Sequence, residues 1–347
     1  MQDGLVVIGV DAHKRTHTMV ATDGVGRRLA ETTVEATSDG HLRALEWAAR
    51  WSSRKWAVED CRHLTRTLES DLLRAGEELV RVPTKMMSGA RRAAREAGKS
   101  DPIDALAVAR AAWREPDLPV ARLAGPEREL RLLVDHRDDL VRERTRIQSR
   151  IRWHLHEIDP CLHVRLRGLR SQRVIDCLLE QLADRKGTIV EIVREQLARV
   201  RELNQRALEL ERQIMLLVVR LAPSLLTIPG CGALTAAKIV GETAGAARFR
   251  TKAAYARWNG TAPQPVWTGN QARYRLARTG NRQVNSALHR IAVTQARELT
   301  LGRCYFERRI AQGNSRKEAL RLLRRRLSDV VYRTLLADES AAVSRAT

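Results

Sequence analysis

The sequence predicts an α/β domain at the N-terminal end, a helical middle and a mainly α domain at the C-terminal end. Short apolar runs separated by turn residues fill the first 120 residues. Apolar residues recur every seven positions in the middle, and helical patterns dominate the last third. The predicted domains are therefore residues 1–120, 121–222 and 223–347.

The first domain begins with a continuous apolar run, Leu5–Val10, that is typical of a buried central strand and ends at Asp11. The other predicted elements are, in chain order, strands at Thr18–Thr22 and Leu29–Ala36, a helix at Ser38–Trp51, a strand at Trp56–Glu59, a helix at Leu64–Ala75, a strand at Glu78–Val82, and helices at Lys85–Ala97 and Pro102–Trp113. This β-β-β-α-β-α-β-α order matches the ribonuclease-H-like fold.

The middle of the chain carries a heptad pattern that is typical of a coiled coil. The residues of the predicted seam are Val193, Val200, Ala207, Ile214 and Leu221, with Leu203, Leu210 and Leu217 at the intervening positions. The same pattern fits a long amphipathic helix packed inside one chain. We expect a helical hairpin that is partly used for self-association.

Positive charge is concentrated at the C-terminal end. The net charge of +21 divides into +1 for residues 1–120, +5 for 121–222 and +15 for 223–347. A polyanion such as DNA or RNA is the expected partner, because phosphate contacts release counterions, although a solvated basic surface is the simpler alternative. We expect neither a membrane span nor a signal peptide, because the apolar runs are too short and no basic region precedes Leu5–Val10, and the five scattered cysteines fit a cytoplasmic protein.

Four acids lie where the predicted fold brings chain segments together. Asp11 ends the first strand and Glu59 ends the fourth, which lies beside the first in this fold. Asp101 and Asp104 are three residues apart at the start of a helix and share one face. Converging carboxylates are the oxygen ligands that Mg²⁺ prefers, so these four residues are a candidate metal site for phosphodiester cleavage. Taken singly, each is an ordinary strand-end or helix-cap acid.

Two segments of the last domain contain residues that are typical of turns and loops. Ile228–Gly232 precedes a helix and fits the turn of a helix-hairpin-helix, although a plain helix–helix turn fits equally well. The segment from Asn259 to Asn281 is predicted to be a loop-rich insert, and several arginines lie in and after it. A hydroxyl group there could attack a phosphate, although a loop threonine such as Thr268 is usually just a turn residue.

On these residues the chain resembles the IS110/IS1111 family of transposases, the DEDD recombinases. The resemblance covers nearly the whole chain. The segments that carry it are Ile8-Gly9-Val10-Asp11 with His13-Lys14, Ala57-Val58-Glu59, Gly98-Lys99-Ser100-Asp101-Pro102-Ile103-Asp104-Ala105, Ile228-Pro229-Gly230-Cys231-Gly232 with Thr235-Ala236, Asn259-Gly260-Thr261-Ala262-Pro263, and Gly280-Asn281-Arg282-Gln283-Val284-Asn285.

The resemblance implies a RuvC-like N-terminal domain joined through a coiled coil to a C-terminal transposase domain. It also implies Mg²⁺ on the tetrad Asp11, Glu59, Asp101 and Asp104. The expected partners are donor DNA, target DNA and a guide RNA, the bridge RNA, that pairs with both. A homo-oligomer is expected, from a dimer to a tetramer of two dimers. The family's nucleophile is a serine that becomes covalently joined to DNA, and its position is Thr268 here, before Gly269.

Two other functions remain open at this point. A metal-dependent, structure-specific nuclease would use only Asp11, Glu59, Asp101 and Asp104. A nucleic-acid-binding descendant would have lost strand transfer, because the β-branch of Thr268 stiffens its side chain and crowds an in-line attack. A covalent protein–DNA adduct distinguishes the recombinase from both alternatives.

Overall fold

The computed structural model describes residues 4–60, 62–84, 86, 100–115, 118, 120–122, 125–162, 164–165, 167–268, 271–276 and 280–346. The chain divides into two compact units. One unit contains Met1–Gly125 and Ala244–Ser340, and the other contains Pro126–Thr243 and Ala341–Thr347. The domain boundaries predicted after residues 120 and 222 stay predictions. Among the residues that the structure describes, no helix is both long and apolar enough to cross a membrane.

A mixed five-stranded sheet forms the N-terminal part of the first unit. Its elements are β1 (Val6–Ala12), β2 (Thr16–Thr22), β3 (Arg28–Glu35), α1 (Ser38–Ala48), β4 (Arg54–Glu59), α2 (Arg62–Arg74), β5 (Leu79–Val82) and α3 (Asp101–Arg114). The strand order is β3-β2-β1-β4-β5, with β1 antiparallel to β2 and parallel to β4. The prediction that the fourth strand lies beside the first is thus confirmed. The helix predicted at 85–97 lies, apart from Met86, outside the described residues.

Both faces of the sheet are covered, which explains the continuous apolar run in β1. On one face, Ile8 and Val10 pack in a cluster with Trp56 and with residues of α1 and α2. On the other face, Val7 packs with Val108 and other residues of α3. Because successive side chains of a strand point to opposite faces, every residue of β1 is buried. This arrangement places the end of β1 between two layers of helices.

The second unit is built on two long antiparallel helices, α4 (Pro126–Ile158) and α6 (Thr188–Leu221), with the short helix α5 (Gln172–Gln181) between them in sequence. Arg137 Nη2 of α4 donates to Glu211 Oε1 of α6 at 2.6 Å. Arg144 Nη1, further along α4, donates to Asn204 Oδ1, further back along α6, at 2.9 Å. Since the pairing runs in opposite directions along the two helices, they form a helical hairpin.

Most positions of the predicted seam are buried inside this hairpin. The residues of α6 that are at most 3% exposed include Val193, Val200, Leu203, Ala207, Leu210 and Ile214. Val193 and Val200 share a cluster with Ile151 and Leu155 of α4. Leu217 and Leu221 are only partly buried. The helical middle is therefore confirmed, whereas a coiled coil between subunits stays a prediction.

The C-terminal part of the chain is mainly helical, as predicted. After the helical turn at Pro223–Thr227 come α7 (Ala233–Thr243), α8 (Lys252–Trp258), β6 (Pro263–Thr268), β7 (Gln271–Leu276), α9 (Arg282–Arg297), α10 (Leu301–Ala311) and α11 (Arg316–Ala346). Helix α7 belongs to the second unit, and the elements from α8 to α11 belong mostly to the first.

The prediction of a loop-rich insert between Asn259 and Asn281 is wrong for most of this segment. Strands β6 and β7 pair there as an antiparallel hairpin, with Pro263 opposite Leu276 and Thr268 opposite Gln271. The two prolines of β6, Pro263 and Pro265, are two residues apart, so both occupy the same kind of position in the ladder. A proline fits the position whose N–H would point away from the partner strand, which makes this spacing compatible with a strand.

The helical hairpin makes a direct stability prediction. Leu210 is 1% exposed, whereas Leu208 on the same helix is 55% exposed. Leu210→Glu places a carboxylate in the apolar interface and is expected to lower the free energy of unfolding by roughly several kcal/mol. Leu208→Glu, the matched control, is expected to change it by less than about 0.5 kcal/mol. Urea unfolding of both variants provides the measurement, and equal losses would contradict the placement of the seam.

Candidate functional site

Gly9, in the middle of β1, sets how closely α3 approaches the sheet. A Cβ atom at this position would lie 2.1 Å from the carbonyl oxygen of Ala105 and 2.5 Å from the backbone nitrogen of Ala109. Both are backbone atoms of α3, so no side-chain rotation could relieve the overlap. The backbones of β1 and α3 therefore touch, and this contact brings the first turn of the helix close to the end of the strand.

The first turn of α3 presents two acids. Ser100 has the extended backbone of an N-cap residue, with φ −148° and ψ 152°, and Asp104 N donates to its carbonyl oxygen at 3.1 Å. Pro102 is tolerated at this early position because its missing N–H would have no partner within the helix. Asp101 and Asp104 project from the same face. The partial positive charge of the helix N-terminus stabilises both carboxylates.

Three side chains meet at the end of β1. His13 Nε2 lies 3.1 Å from Asp11 Oδ2 and 3.3 Å from Asp101 Oδ1. One ligand atom from each of these three residues lies within 4.8 Å of the other two. Asp11 is buried, whereas about half of each of the His13 and Asp101 side chains is exposed. The cluster is thus buried at Asp11 and open to solvent at His13 and Asp101.

The electrostatics of this cluster favour a cation. Burial raises the pKa of Asp11, and the negative charges of Asp104 and Asp101 raise it further, while His13 opposes the shift. A carboxylate that is both buried and next to other acids is unfavourable in its charged form unless a positive charge lies beside it. Carboxylate oxygens with one imidazole nitrogen are a donor set that a divalent cation accepts. The residues present therefore fit a metal ion.

The four predicted acids all lie at this edge of the sheet, although their closeness differs. Asp104 is buried and acts on Asp11 through its charge. Glu59 is the last residue of β4, and the pairing of Val10 with Val58 places it level with Asp11 on the neighbouring strand. Their roles as metal ligands stay predictions.

His13 is a member of the cluster that was not predicted from the sequence. His13 follows Asp11 by two residues, and alternate residues of an extended segment point to the same side. That spacing was a usable signal. Its backbone N–H donates to Thr16 O at 2.9 Å in the connection between β1 and β2, which holds the residue at the strand end.

A second candidate element is the hairpin β6–β7, whose base is held by a buried polar network. Asn259 is fully buried, and its Nδ2 donates to Ser328 Oγ of α11 at 2.8 Å. Its Oδ1 accepts from the backbone N–H of Thr261 at 3.1 Å and from the Thr261 hydroxyl at 2.7 Å. On α9, Asn285 Nδ2 donates to Asn259 O at 2.8 Å. One asparagine thus ties the start of the hairpin to two helices.

The chain after β7, at Gly280 and Asn281, is also held by close contacts. Gly280 has φ +105°, and a Cβ atom there would lie 2.6 Å from Gly260 N and 2.7 Å from Trp258 O. Asn281 N donates to Trp258 O at 2.7 Å, and the Asn281 side chain caps α9 by accepting from Val284 N at 3.0 Å. We call this set of contacts, made by Trp258–Thr261, Gly280–Asn281, Asn285 and Ser328, the hairpin clamp.

Thr268 is the last residue of β6 and pairs with Gln271 at the end of the ladder away from the clamp. It lies five positions along the extended chain from Pro263, which is a distance of about 17 Å. Arg273 and Arg275 are residues of β7. Arg278 lies outside the described residues. The hairpin therefore carries a hydroxyl-bearing residue near its tip and arginines along one strand.

The predicted turn before α7 lies between helical segments. Gly230 has φ +84°, and Cys231 N donates to Ile228 O at 2.9 Å, so the chain reverses before α7 begins at Ala233. A phosphate-binding helix-hairpin-helix at this turn stays a prediction.

The chain matches known transposase families. Residues 8–160 match the model of the IS110 DEDD transposases, described as "Transposase", and residues 222–305 match the "Transposase IS116/IS110/IS902 family". The chain is 33% identical over 156 residues to the insertion element IS116 uncharacterized 44.8 kDa protein of Streptomyces clavuligerus, covering 45% of this chain and 39% of that protein. It is 29% identical over 248 residues to the insertion element IS110 uncharacterized 43.6 kDa protein of Streptomyces coelicolor, covering 58% of this chain and 61% of that protein.

The matched regions thus span less than two thirds of the length of these relatives. Among solved structures, T. thermophilus RuvC in complex with a Holliday junction substrate covers 34% of this chain and 99% of its own, with 18% identity and a TM-score of 0.27.

The contact between β1 and α3 gives a prediction for the metal centre. Gly9→Ala is expected to displace α3, to lower the melting temperature by several degrees or more, and to weaken binding of Mn²⁺ as a probe ion. Gly4→Ala is the control, because a Cβ atom there would meet no atom within 4 Å. Calorimetric unfolding and metal titration are the measurements. A Gly9→Ala protein as stable as Gly4→Ala would show that the two backbones do not touch.

Proposed function

We propose, from the matches of residues 8–160 and 222–305 to transposase models, that the chain is a site-specific DNA recombinase that moves an insertion sequence. One observation of the site carries the proposal. The carboxylates of Asp11 and Asp101 converge on His13 at the end of β1, with Asp104 close enough to raise the pKa of Asp11. Such a cluster suits phosphodiester chemistry, because the reacting phosphate is an anion that acids bind only through a cation.

In this proposal Asp11, Glu59, Asp101 and Asp104 hold Mg²⁺ in a RuvC-like N-terminal domain. When bound, Mg²⁺ would activate the attacking oxygen and stabilise the leaving oxygen. His13 positions two of the acids, since its Nε2 atom is within hydrogen-bonding distance of Asp11 and close to Asp101. The exposed half of Asp101 leaves one side of the site open to a phosphate group.

Thr268 is the proposed nucleophile, in place of the serine that the family resemblance implies. Its hydroxyl oxygen would attack a backbone phosphorus atom, so that an O–P bond to the protein forms as the bond from phosphorus to one DNA strand breaks. The hydroxyl proton passes to water or a carboxylate, and the leaving oxygen gains a proton from solvent. A second strand's hydroxyl then attacks the same phosphorus and releases Thr268. The position of Thr268 at the distal end of the hairpin ladder supports this role.

The proposed partners are donor DNA, target DNA and a bridge RNA that pairs with both. The net charge of +15 in residues 223–347 supports a polyanionic partner. Aromatic residues make up only 4% of the chain, which favours contacts to the phosphate backbone over stacking on bases. We further propose a cytoplasmic homo-oligomer, from a dimer to a tetramer, whose subunits associate partly through the helical hairpin.

A metal-dependent nuclease is the second candidate function, because the acid cluster alone would suffice for it. The nuclease would nick DNA in the presence of metal without becoming joined to it. A nucleic-acid-binding descendant, the third possibility, would neither cleave nor form an adduct.

Removal of one acid tests the metal site. Glu59→Gln removes a ligand charge at nearly constant shape, so it is expected to reduce DNA cleavage by a factor of about 100 or more while folding and RNA binding persist. Glu78→Gln is a matched control on an exposed acid just before β5. Cleavage is measured with labelled DNA in Mg²⁺ and in Mn²⁺. Full cleavage by Glu59→Gln would contradict the assignment of this residue.

Three substitutions of one residue test the nucleophile. Thr268→Ala and Thr268→Val are both expected to abolish the covalent adduct with guide binding retained, because both lack the hydroxyl and the second keeps the branched shape. Thr268→Ser is expected to hold or raise the rate, since it removes the β-branch. The assay combines guide RNA, donor and target DNA, and a denaturing gel.

The outcomes separate the three functions. A wild-type level of adduct from Thr268→Ala rules out this nucleophile. Metal-dependent nicking without any adduct identifies the nuclease. An inactive natural chain that becomes active as Thr268→Ser identifies the descendant impaired in strand transfer.

A further inference from the structure

Three consecutive arginines of α11 have different surroundings. Arg325 pairs with Asp329, and Arg326 lies over the ring of Tyr305, 5.4 Å from its centroid. Arg324 has no ion-pair partner among the residues that the structure describes, and its Nε atom is buried without a hydrogen bond. A guanidinium that is half buried and unpaired is costly to the free protein, so its presence needs an explanation.

The positive charge of a neighbouring arginine increases this cost. Arg321 lies one turn earlier on the same face of α11, and His289 faces Arg324 from α9. Burial and the charge of Arg321 lower the pKa of Arg324, and burial and the charge of Arg324 lower the pKa of His289. Hydrogen bonds from Ser315 and the charge of Arg321 lower the pKa of Glu318, whose carboxylate accepts from the Ser315 hydroxyl at 2.7 Å and from its N–H at 2.9 Å.

This basic cluster lies next to the hairpin clamp. Ser328, one turn after Arg324 on α11, bonds Asn259, and Asn285, one turn before His289 on α9, bonds the same residue. Residues four apart on a helix are neighbours on one face, about 5–6 Å apart. The cluster and the clamp therefore occupy adjacent turns of the same two helices.

We propose that Arg321, Arg324 and His289 bind a backbone phosphate of the nucleic acid that reaches the β6–β7 hairpin. The proposal rests on the proposed function, because the bound phosphate would belong to the nucleic-acid strand that the hairpin cleaves. A phosphate would neutralise the positive charge of the two arginines and accept hydrogen bonds from the terminal nitrogens of the Arg324 guanidinium. Since phosphate carries no base identity, this contact would position the strand and leave its sequence unread.

The salt dependence of binding tests the proposal. The full-length protein is titrated with labelled single-stranded DNA, duplex DNA and single-stranded RNA of one sequence, at several salt concentrations. The double variant Arg321→Gln/Arg324→Gln is expected to lower the slope of log affinity against log salt by about 1, because both arginines contact the same phosphate. The strand type that shows this change identifies the nucleic acid at the cluster.

Arg333→Gln, an exposed position on the same helix, is the control for the loss of one positive charge. An Arg321→Gln variant, which also loses one charge, would overturn the proposal if its slopes equalled those of Arg333→Gln for all three strands. Thr268→Ala is expected to keep the wild-type slope, so a failed nucleophile and a failed phosphate site give different results.

A second measurement separates binding from a structural role. Arg324→Gln removes a half-buried, unpaired charge, so the free protein is expected to melt at the same temperature or higher while its affinity for the strand falls. A lowered melting temperature with unchanged affinity would show that Arg324 supports the fold instead. Should Arg324→Gln fail to fold, Arg321→Gln alone, at an exposed position, is expected to lower the slope by about 1, and an unchanged slope would overturn the proposal.

Discussion

The candidate metal centre depends on one contact, the meeting of the β1 and α3 backbones at Gly9. A strand and a helix normally keep a side chain between them, and at Gly9 there is none. The first turn of α3 therefore reaches the end of β1, where Asp101 and Asp11 share the imidazole of His13. The acids repel one another, so the packing of this helix must hold them together. Burial of Val7 and Val108 between sheet and helix provides part of that force.

The sequence predicted the parts of the site that depend on the ends of regular elements. Asp11 and Glu59 end apolar runs, and a parallel pair of strands brings such ends to one edge. Asp101 and Asp104 follow helix periodicity. His13 was not predicted in the cluster, because its two-residue spacing from Asp11 is a signal only if the chain stays extended beyond the end of β1. It also did not predict the hairpin, because Pro263 and Pro265 look like loop residues unless their positions in the ladder are known.

Charge shows the same limit of sequence analysis. Residue counts predict that the C-terminal third is strongly basic, but they give only its net charge and not the surroundings of each residue. In the structure, the individual arginines have different neighbours. Arg325 has a carboxylate partner, Arg326 and Arg309 lie over Tyr305, and Arg324 is half buried beside other positive groups. Only three-dimensional neighbours distinguish an arginine that stabilises the fold from one that is free to meet an anion.

The hairpin clamp has a consequence for how this protein can change over evolutionary time. Asn259, Gly280 and Asn281 join the two ends of the hairpin through their own hydrogen bonds and backbone contact, independently of β6 and β7. Once the ends are joined, doubling the length of the enclosed segment costs only about 0.6 kcal/mol of closure entropy. The length and the sequence of the segment between them can therefore change during evolution, while the helices that hold its ends keep their packing.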